Sequence, residues 1–319
     1  CNLPAPSPRY EPTWESLDSR PLPSWYDDAK FGIFIHWGVY SVPAFSGEWF
    51  LYNWKEKQDP DVVNFMETQY PPGWAYQAFA PLFTARFFDP AAWVELFEAA
   101  GARYIVTTAK HHDGYTLYPS AYSANWNSDV GLGRDLLADL QAAVRADAPN
   151  LRFGLYHSLY EWFHPLYLQD KANNWTSQAF VAQKTGAELY ELVERYQPDV
   201  LWSDGDWEAP DSYWNATSFL AWLYNDSPVK DTVVTNDRWG QGTTCQHGGF
   251  LTCEDRYSPG VVQSRKYESC QTLDKKSWGY RRNTRLEDFL SFSELLATLV
   301  TVVATNGNLL LNVGPDSDG

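Results

Sequence analysis

The chain has 319 residues, enough to bury a full core as one large α/β unit or as two ordinary domains. Its formal charge of −16 argues against a nucleic-acid partner, because neutralising phosphates takes clustered Lys and Arg. No run of about 18 apolar residues is available to span a bilayer, while 16 Trp and 20 Tyr favour a ligand site that works by stacking.

In chain order, residues 1–24 read as a Pro-rich, irregular entry without the apolar segment of a secretion leader, as an already processed N-terminus would. From residue 25 onward, apolar strand-like runs alternate with helical patterns. The runs are 31–36, 104–108, 152–156, 200–202, 232–235, 250–252 and 309–313, with an eighth not placed sharply within 265–280. Helices are predicted at 90–101, 134–147, 176–197, 212–225 and 286–305. In 176–197, for instance, Phe180, Ala187, Leu192 and Val193 approximate a 3.6-residue period. Strand, helix, strand in sequence implies parallel pairing through right-handed crossovers. Polar groups follow nearly every strand: His36-Trp37, Lys110-His111-His112-Asp113, Tyr156-His157, Asp204, Asn236-Asp237-Arg238-Trp239 and Glu254-Asp255-Arg256. That pattern sets them on one rim and predicts an α/β fold of the (β/α)8 TIM-like barrel type. A doubly wound open sheet is the alternative, but its ligands converge on one crevice rather than on every strand end.

Asp204 stands where the run Val200-Leu201-Trp202 stops at a carboxylate- and aromatic-rich turn. Aromatic faces around acids suit a sugar, and glycosidases of either stereochemistry need two carboxyl groups. The strand-end position makes Asp204 the candidate nucleophile; Asp206 and Glu208 read as loop charges or supporting partners. For the acid/base, Asp255 at the sixth strand end competes with Glu268, which Tyr267 and Trp278 could wall off from water. Whichever is not the acid would pair with Arg256 or Arg265. His111-His112-Asp113 invites a metal, but adjacent rings diverge and nothing completes a shell, so donors to sugar hydroxyls fit better. His36, Glu48 and Trp49 fall in the first long loop, and His164 and His247 receive no role. Gly131-Leu132-Gly133 fails as a phosphate loop, and no Gly-x-Ser-x-Gly elbow occurs.

Asn174-Trp175-Thr176 and Asn215-Ala216-Thr217 are glycosylation acceptors, with Asn225-Asp226-Ser227 weakened by the Pro that follows. Cys245, Cys253 and Cys270 fit a local disulfide better than a zinc site. Both features point to an extracellular or lysosomal protein.

The segments 25–38, 110–114, 201–205, 236–240, 277–280 and 310–315, taken in order, resemble the α-L-fucosidases of glycoside hydrolase family 29, animal lysosomal and fungal secreted members above all. The resemblance implies a retaining exo-hydrolase that releases terminal α-linked L-fucose from glycans or glycoconjugates through a covalent fucosyl-enzyme, with no metal or organic cofactor. It assigns the nucleophile to Asp204, and His36, Glu48, Trp49, His111, His112, Tyr156, Arg256 and Trp278 to the sugar ring. Glu268 matches the acid/base of many members and Asp255 the position proposed in animal relatives; the Tyr-Glu context favours Glu268. A catalytic barrel over 25–319 is expected, and the β-sandwich that usually follows in the family is absent from this sequence. A barrel glycosidase of another specificity, or a non-catalytic fucose-binding protein, would share much of this pattern.

Overall fold

The computed structural model describes residues 9–319. Cys1 and the rest of the first eight residues lie outside that range. Seven parallel strands form one curled sheet: β1 (Phe31–Ile35), β2 (Tyr104–Lys110), β3 (Arg152–Ser158), β4 (Val200–Asp204), β5 (Val234–Thr235), β6 (Tyr267–Thr272) and β7 (Gly307–Val313). Their order is β5-β4-β3-β2-β1-β7-β6, so the first and last strands pair, in register Phe31↔Leu309 to Ile35↔Val313. A doubly wound sheet would instead reverse direction about its first strand.

The expected strand at 250–252 is only an extended bridge, yet it spans the two edges of the sheet. Phe250 N–H donates to Thr235 O of β5 at 3.0 Å, Leu251 N–H to Lys266 O at 3.0 Å, and Glu268 N–H of β6 to Leu251 O at 2.8 Å. The element expected somewhere in 265–280 is β6, which pairs with β7 from Tyr267↔Gly307 to Thr272↔Asn312.

Helices cover the outside of the sheet. They include α3 (Pro90–Ala99), α4 (Leu136–Asp147), α5 (Gly186–Tyr196), α6 (Ala216–Asn225) and α7 (Phe292–Ala304); α1 (Trp14–Leu17) and α2 (Ser24–Ala29) precede the first strand. Side chains alternate along each strand. One set, including Ile33, Ile35, Ile105, Phe153, Leu155 and Leu201, packs outward against Val94, Leu140, Leu192 and Leu220 of the helices. The other set, Phe34, Val106, Tyr156, Val200, Trp202, Cys270 and Leu310, fills the interior, where Tyr26 of α2 joins it. Every strand therefore sends its inward side chains down one axis and its last inward residue to the same rim.

From residue 9 onward, the entry segment is less irregular than its composition suggests. Thr13 caps the single turn of α1, and the Trp14 indole donates to Asp211 at 2.7 Å. Arg9 forks onto Asp226 at 2.8 and 2.9 Å, and Tyr10 exchanges backbone bonds with the Asn225 side chain. Long-range contacts with Asp211 and with Asn225 and Asp226, which composition does not reveal, order it. The expected long helix at 176–197 begins with a π-helical turn, Val181–Thr185, before α5. Among the described residues, no helix is long and apolar enough to cross a membrane.

Candidate active site

The strand ends of β1 to β4, with the loops after β5, β6 and the 250–252 bridge, surround one pocket. Asp204, the last residue of β4, lies at its floor. Gly205 then turns the chain at φ +80°, and a Cβ there would sit 2.4 Å from the Tyr160 ring, so only glycine fits the turn. Asp204 Oδ2 accepts from the Tyr156 hydroxyl at 2.7 Å, and Oδ1 from Arg238 Nη1 at 3.1 Å. Burial alone would push this carboxyl up. Arg238, His112 and the Tyr156 hydroxyl outweigh it and hold the group below the usual carboxylate range. Asp204 is therefore an anion at neutral pH, poised without a proton to lose.

Arg238 spreads its donors over both candidate carboxylates. Nη2 reaches Asp255 Oδ1 at 2.7 Å, while Nε donates to Thr252 Oγ1 at 3.0 Å and the guanidinium lies 4.9 Å from the Trp202 ring centre. One rigid fork thus bridges Asp204 and Asp255.

The imidazoles form the opposite wall. His36 Nδ1 meets Asn312 Oδ1 at 2.6 Å, while the Asn312 amide donates to Trp278 O at 2.7 Å. The amide orientation makes Nδ1 the protonated nitrogen and leaves Nε2 of His36 as an acceptor. His112 Nδ1 lies 2.6 Å from Ser158 Oγ, whose own proton goes to Tyr160 O at 2.7 Å. The same logic puts the proton on Nδ1 and an acceptor at Nε2, 3.6 Å from Asp204 Oδ2. Two buried acceptors in the pocket suit sugar hydroxyls that arrive with a proton to give. Burial depresses both rings to about 4, partly opposed by Asn312 for His36 and by Asp204 for His112, so both are neutral at pH 7. His111, stacked on Tyr156 at 5.7 Å, is also pushed well below its ordinary value by burial.

Glu48 enters from the first loop. Its Oε2 accepts from the backbone N–H groups of Trp278 and Gly279 at 3.0 and 2.8 Å and from Ser277 Oγ at 3.2 Å. Burial raises its pKa against those bonds. Trp49, Trp207 and Trp278 supply ring faces, with Trp49 and Trp207 stacked at 6.2 Å and Trp278 set 5.3 Å from His36. Carboxylates, neutral imidazole acceptors and aromatic walls in one pocket are the equipment for binding a small polyhydroxylated ring. Among the described residues, no group of three or more His, Cys, Asp or Glu side chains is arranged to hold a metal ion.

The α-L-fucosidase family model matches residues 2–319. An α-L-fucosidase of Branchiostoma floridae is 60% identical over 98% of this chain and 70% of its own length. This chain belongs to the α-L-fucosidase family. The plasma α-L-fucosidase of Homo sapiens is 57% identical over 98% of the chain and 67% of its own length, so the chain spans about two thirds of such relatives. Among solved structures, the α-fucosidase of Thermotoga maritima matches with a TM-score of 0.82 and 38% identity, covering 98% of this chain and 73% of that one. The same bacterial enzyme has also been solved in complex with fucose.

Of the residues that the family resemblance singles out, Asp204, Asp255, His36, Glu48, Trp49, His111, His112, Tyr156 and Trp278 line the pocket. Two do not. Glu268 points into the sheet interior, where Tyr26 and Tyr104 hydroxyls donate to Oε2 at 2.7 and 2.6 Å and the Trp202 indole to Oε1 at 2.9 Å. Completely buried and enclosed by donors, it has no path to a substrate oxygen. Its alternation along β6 explains this: residue 268 faces inward, but one layer below the rim. Arg256 turns away to Thr272 Oγ1 at 2.9 Å and backs the Trp278 ring from 5.5 Å. Arg238, Trp202, Trp207 and Phe34 line the pocket without having been singled out. Arg238 belongs to the polar strand end 236–239, and Trp207 lies in sequence between Asp206 and Glu208. His164 caps the helix Pro165–Ala172, and His247 pairs with Asp18 at 2.7 Å, both away from the pocket. Glu208 is a loop charge, bound to Lys171 at 2.7 Å.

Proposed function

We propose that the protein is a retaining exo-α-L-fucosidase in which Asp204 is the nucleophile and Asp255 the acid/base. The single observation that carries this reading is the Arg238 fork, which ties an ionised, buried Asp204 to a half-exposed Asp255. Asp204 attacks the anomeric carbon as Asp255 gives its proton to the departing glycosidic oxygen; Asp255 then takes a proton from the water that releases fucose. Once Asp204 is esterified, Arg238 is left to stabilise the ionised Asp255 as base. The acceptor nitrogens of His36 and His112 receive sugar hydroxyls, and Trp49, Trp207 and Trp278 take the apolar faces, including the methyl of the 6-deoxy sugar. Fucosylated oligosaccharides or glycoconjugates are the substrates. No metal or cofactor takes part.

The bridge at 250–252 supports reading the sheet as an eight-stranded (β/α)8-type barrel, with 25–319 as its catalytic unit. The Cys245–Cys253 disulfide and the tissue and plasma origin of the relatives support an extracellular or lysosomal protein.

The test is hydrolysis of a 4-nitrophenyl glycoside panel and of a fucosylated oligosaccharide. The wild type is expected to cleave the α-L-fucoside and to leave the α-galactoside and xyloside intact. Asp255→Ala is expected to lose far more rate on the oligosaccharide than on the nitrophenyl fucoside, whose leaving group needs no proton, and azide is expected to yield α-fucosyl azide. If Glu268→Ala shows that pattern and Asp255→Ala does not, the acid/base is misassigned.

A further inference from the structure

Directly behind the imidazole wall lies a cluster of buried charge that the proposed reaction leaves unused. Lys110 Nζ donates to Glu161 Oε1 at 3.0 Å and to Glu188 Oε2 at 2.9 Å, and both Lys110 and Glu188 are completely buried. Lys184, carried by the π-helical turn ahead of α5, donates to Glu188 Oε1 at 2.6 Å and lies 3.3 Å from Glu161. His157 Nε2 lies 3.2 Å from Glu188, and its other nitrogen is buried without a partner. Buried ion pairs contribute little stability compared with packed apolar side chains of the same volume, so stability alone does not account for such a cluster.

Its placement suggests another role. In β2, Thr108 pairs with Tyr156 but Lys110 with His157, so one extra residue is inserted at Ala109. The bulge turns Lys110 outward to α5, and His111 and His112 come back to the pocket immediately after it. The partner loop is fastened to the same turn twice. Glu161 holds Lys110, and the next residue, Trp162, donates its N–H to His112 O at 3.0 Å. Gly114 completes the turn at φ +81°, where a Cβ would lie 2.6 Å from Glu161 Oε2.

We propose that Lys110 is a positioning residue: its ion pairs to Glu161 and Glu188 fix the His111-His112 turn against the pocket and set the charge that His112 experiences. The inference rests on the pocket being the sugar site. The charged and titratable groups around His112 are Asp204 from β4, Arg238 from the loop after β5, His36 from β1, His111, Lys110 and Asp113 of its own segment, and Glu161 from the loop after β3, bound to Lys110. Tyr160 stacks on the ring at 4.7 Å. Removing the Lys110 cation makes protonation of His112 easier; removing the Glu161 anion makes it harder.

The experiment uses the full chain as wild type, Lys110→Met and Glu161→Gln. KM and kcat are measured on 4-nitrophenyl α-L-fucoside, and the His112 titration is followed by NMR of the ring nitrogens. Lys110→Met is expected to raise KM on the order of tenfold, with a smaller change in kcat, and to move the His112 titration to higher pH. Glu161→Gln is expected to move it to lower pH. Opposite shifts from two variants of one cluster are not a general consequence of loosened packing. If Lys110→Met does not fold, the direction of the Glu161→Gln shift decides. Variants with wild-type KM and an unmoved His112 titration, differing only in Tm, would overturn the proposal. A wild type that leaves the fucoside intact would refute the reading of the pocket, while the titration would still decide the positioning role.

Discussion

A carboxylate does different work according to which donors surround it. Asp204 is buried but faces Arg238 and the Tyr156 hydroxyl at the rim; Glu268 is buried among Tyr26, Tyr104 and Trp202 one layer down. Tyr156→Phe removes one donor to the charged form of Asp204. Its pKa rises toward the usual carboxylate value, so the acid limb of kcat/KM should move to higher pH. The rate should fall about tenfold to a hundredfold, matching the roughly 1.5–3 kcal/mol of a hydrogen bond to a charged group. A pH–rate profile checks this, and an unmoved limb would mean that Asp204 does not set it. Glu268→Gln puts an amide where three donors converge and should cost about 1–3 kcal/mol of stability, from the mismatch of a buried polar group. Its kcat/KM at 25 °C should stay near wild type, which a paired Tm and rate measurement resolves. Sequence made Asp204 legible because a strand end fixes where its side chain goes. The sequence favoured Glu268 over Asp255, because depth along the sheet axis is a property of register, which appears only when the strands pair.

At the level of elements, the loop from 236 to 256 matters most to the site. The Asp237 carboxylate accepts from the backbone N–H groups of Cys245, Thr252 and Cys253 at 2.8, 2.9 and 3.2 Å and from Thr252 Oγ1 at 2.5 Å. The Cys245–Cys253 disulfide closes the same loop, and Cys270 remains a buried thiol. Arg238 and Asp255 flank this knot. A disulfide spanning so short a loop contributes about 2.5 kcal/mol by chain entropy. Cys245→Ser with Cys253→Ser should therefore lower Tm and also reduce kcat/KM on the oligosaccharide. A lower Tm with unchanged kcat/KM would show that the loop does not need the bond to hold Asp255. Sequence pattern found the long strands and blurred the short ones for a physical reason. Residues 267–272 place Glu268 and Cys270 inward, so no apolar run announces β6, and β5 spans only Val234–Thr235. The bulge at Ala109 was equally hidden, since a one-residue insertion leaves composition unchanged.

Across the whole molecule, the strand order and the common rim were readable from the alternation of elements and from the polar residues after each strand, because parallel crossovers leave few other topologies. Acid stability is also a property of the whole. His36, His112 and His157 are held to about 4 by burial, against 6.5 for a free side chain. Between those values the unfolded chain binds protons that the folded chain does not, so each ring removes stability as pH falls, by about 1.4 kcal/mol per unit. Glu48, Glu268 and Asp113, raised by burial, act in the opposite direction. His157→Gln, away from the pocket, should therefore flatten the fall of Tm between about pH 6.5 and 4; thermal melts across that range check it, and a slope unchanged from wild type would contradict the burial argument. The most direct test of the central claim is the reaction of Asp204→Gly with 4-nitrophenyl α-L-fucoside and azide. Near-complete loss of hydrolysis, with azide restoring nitrophenol release and giving β-fucosyl azide, is the predicted result. A variant that keeps the wild-type rate without azide would show that Asp204 is not the nucleophile.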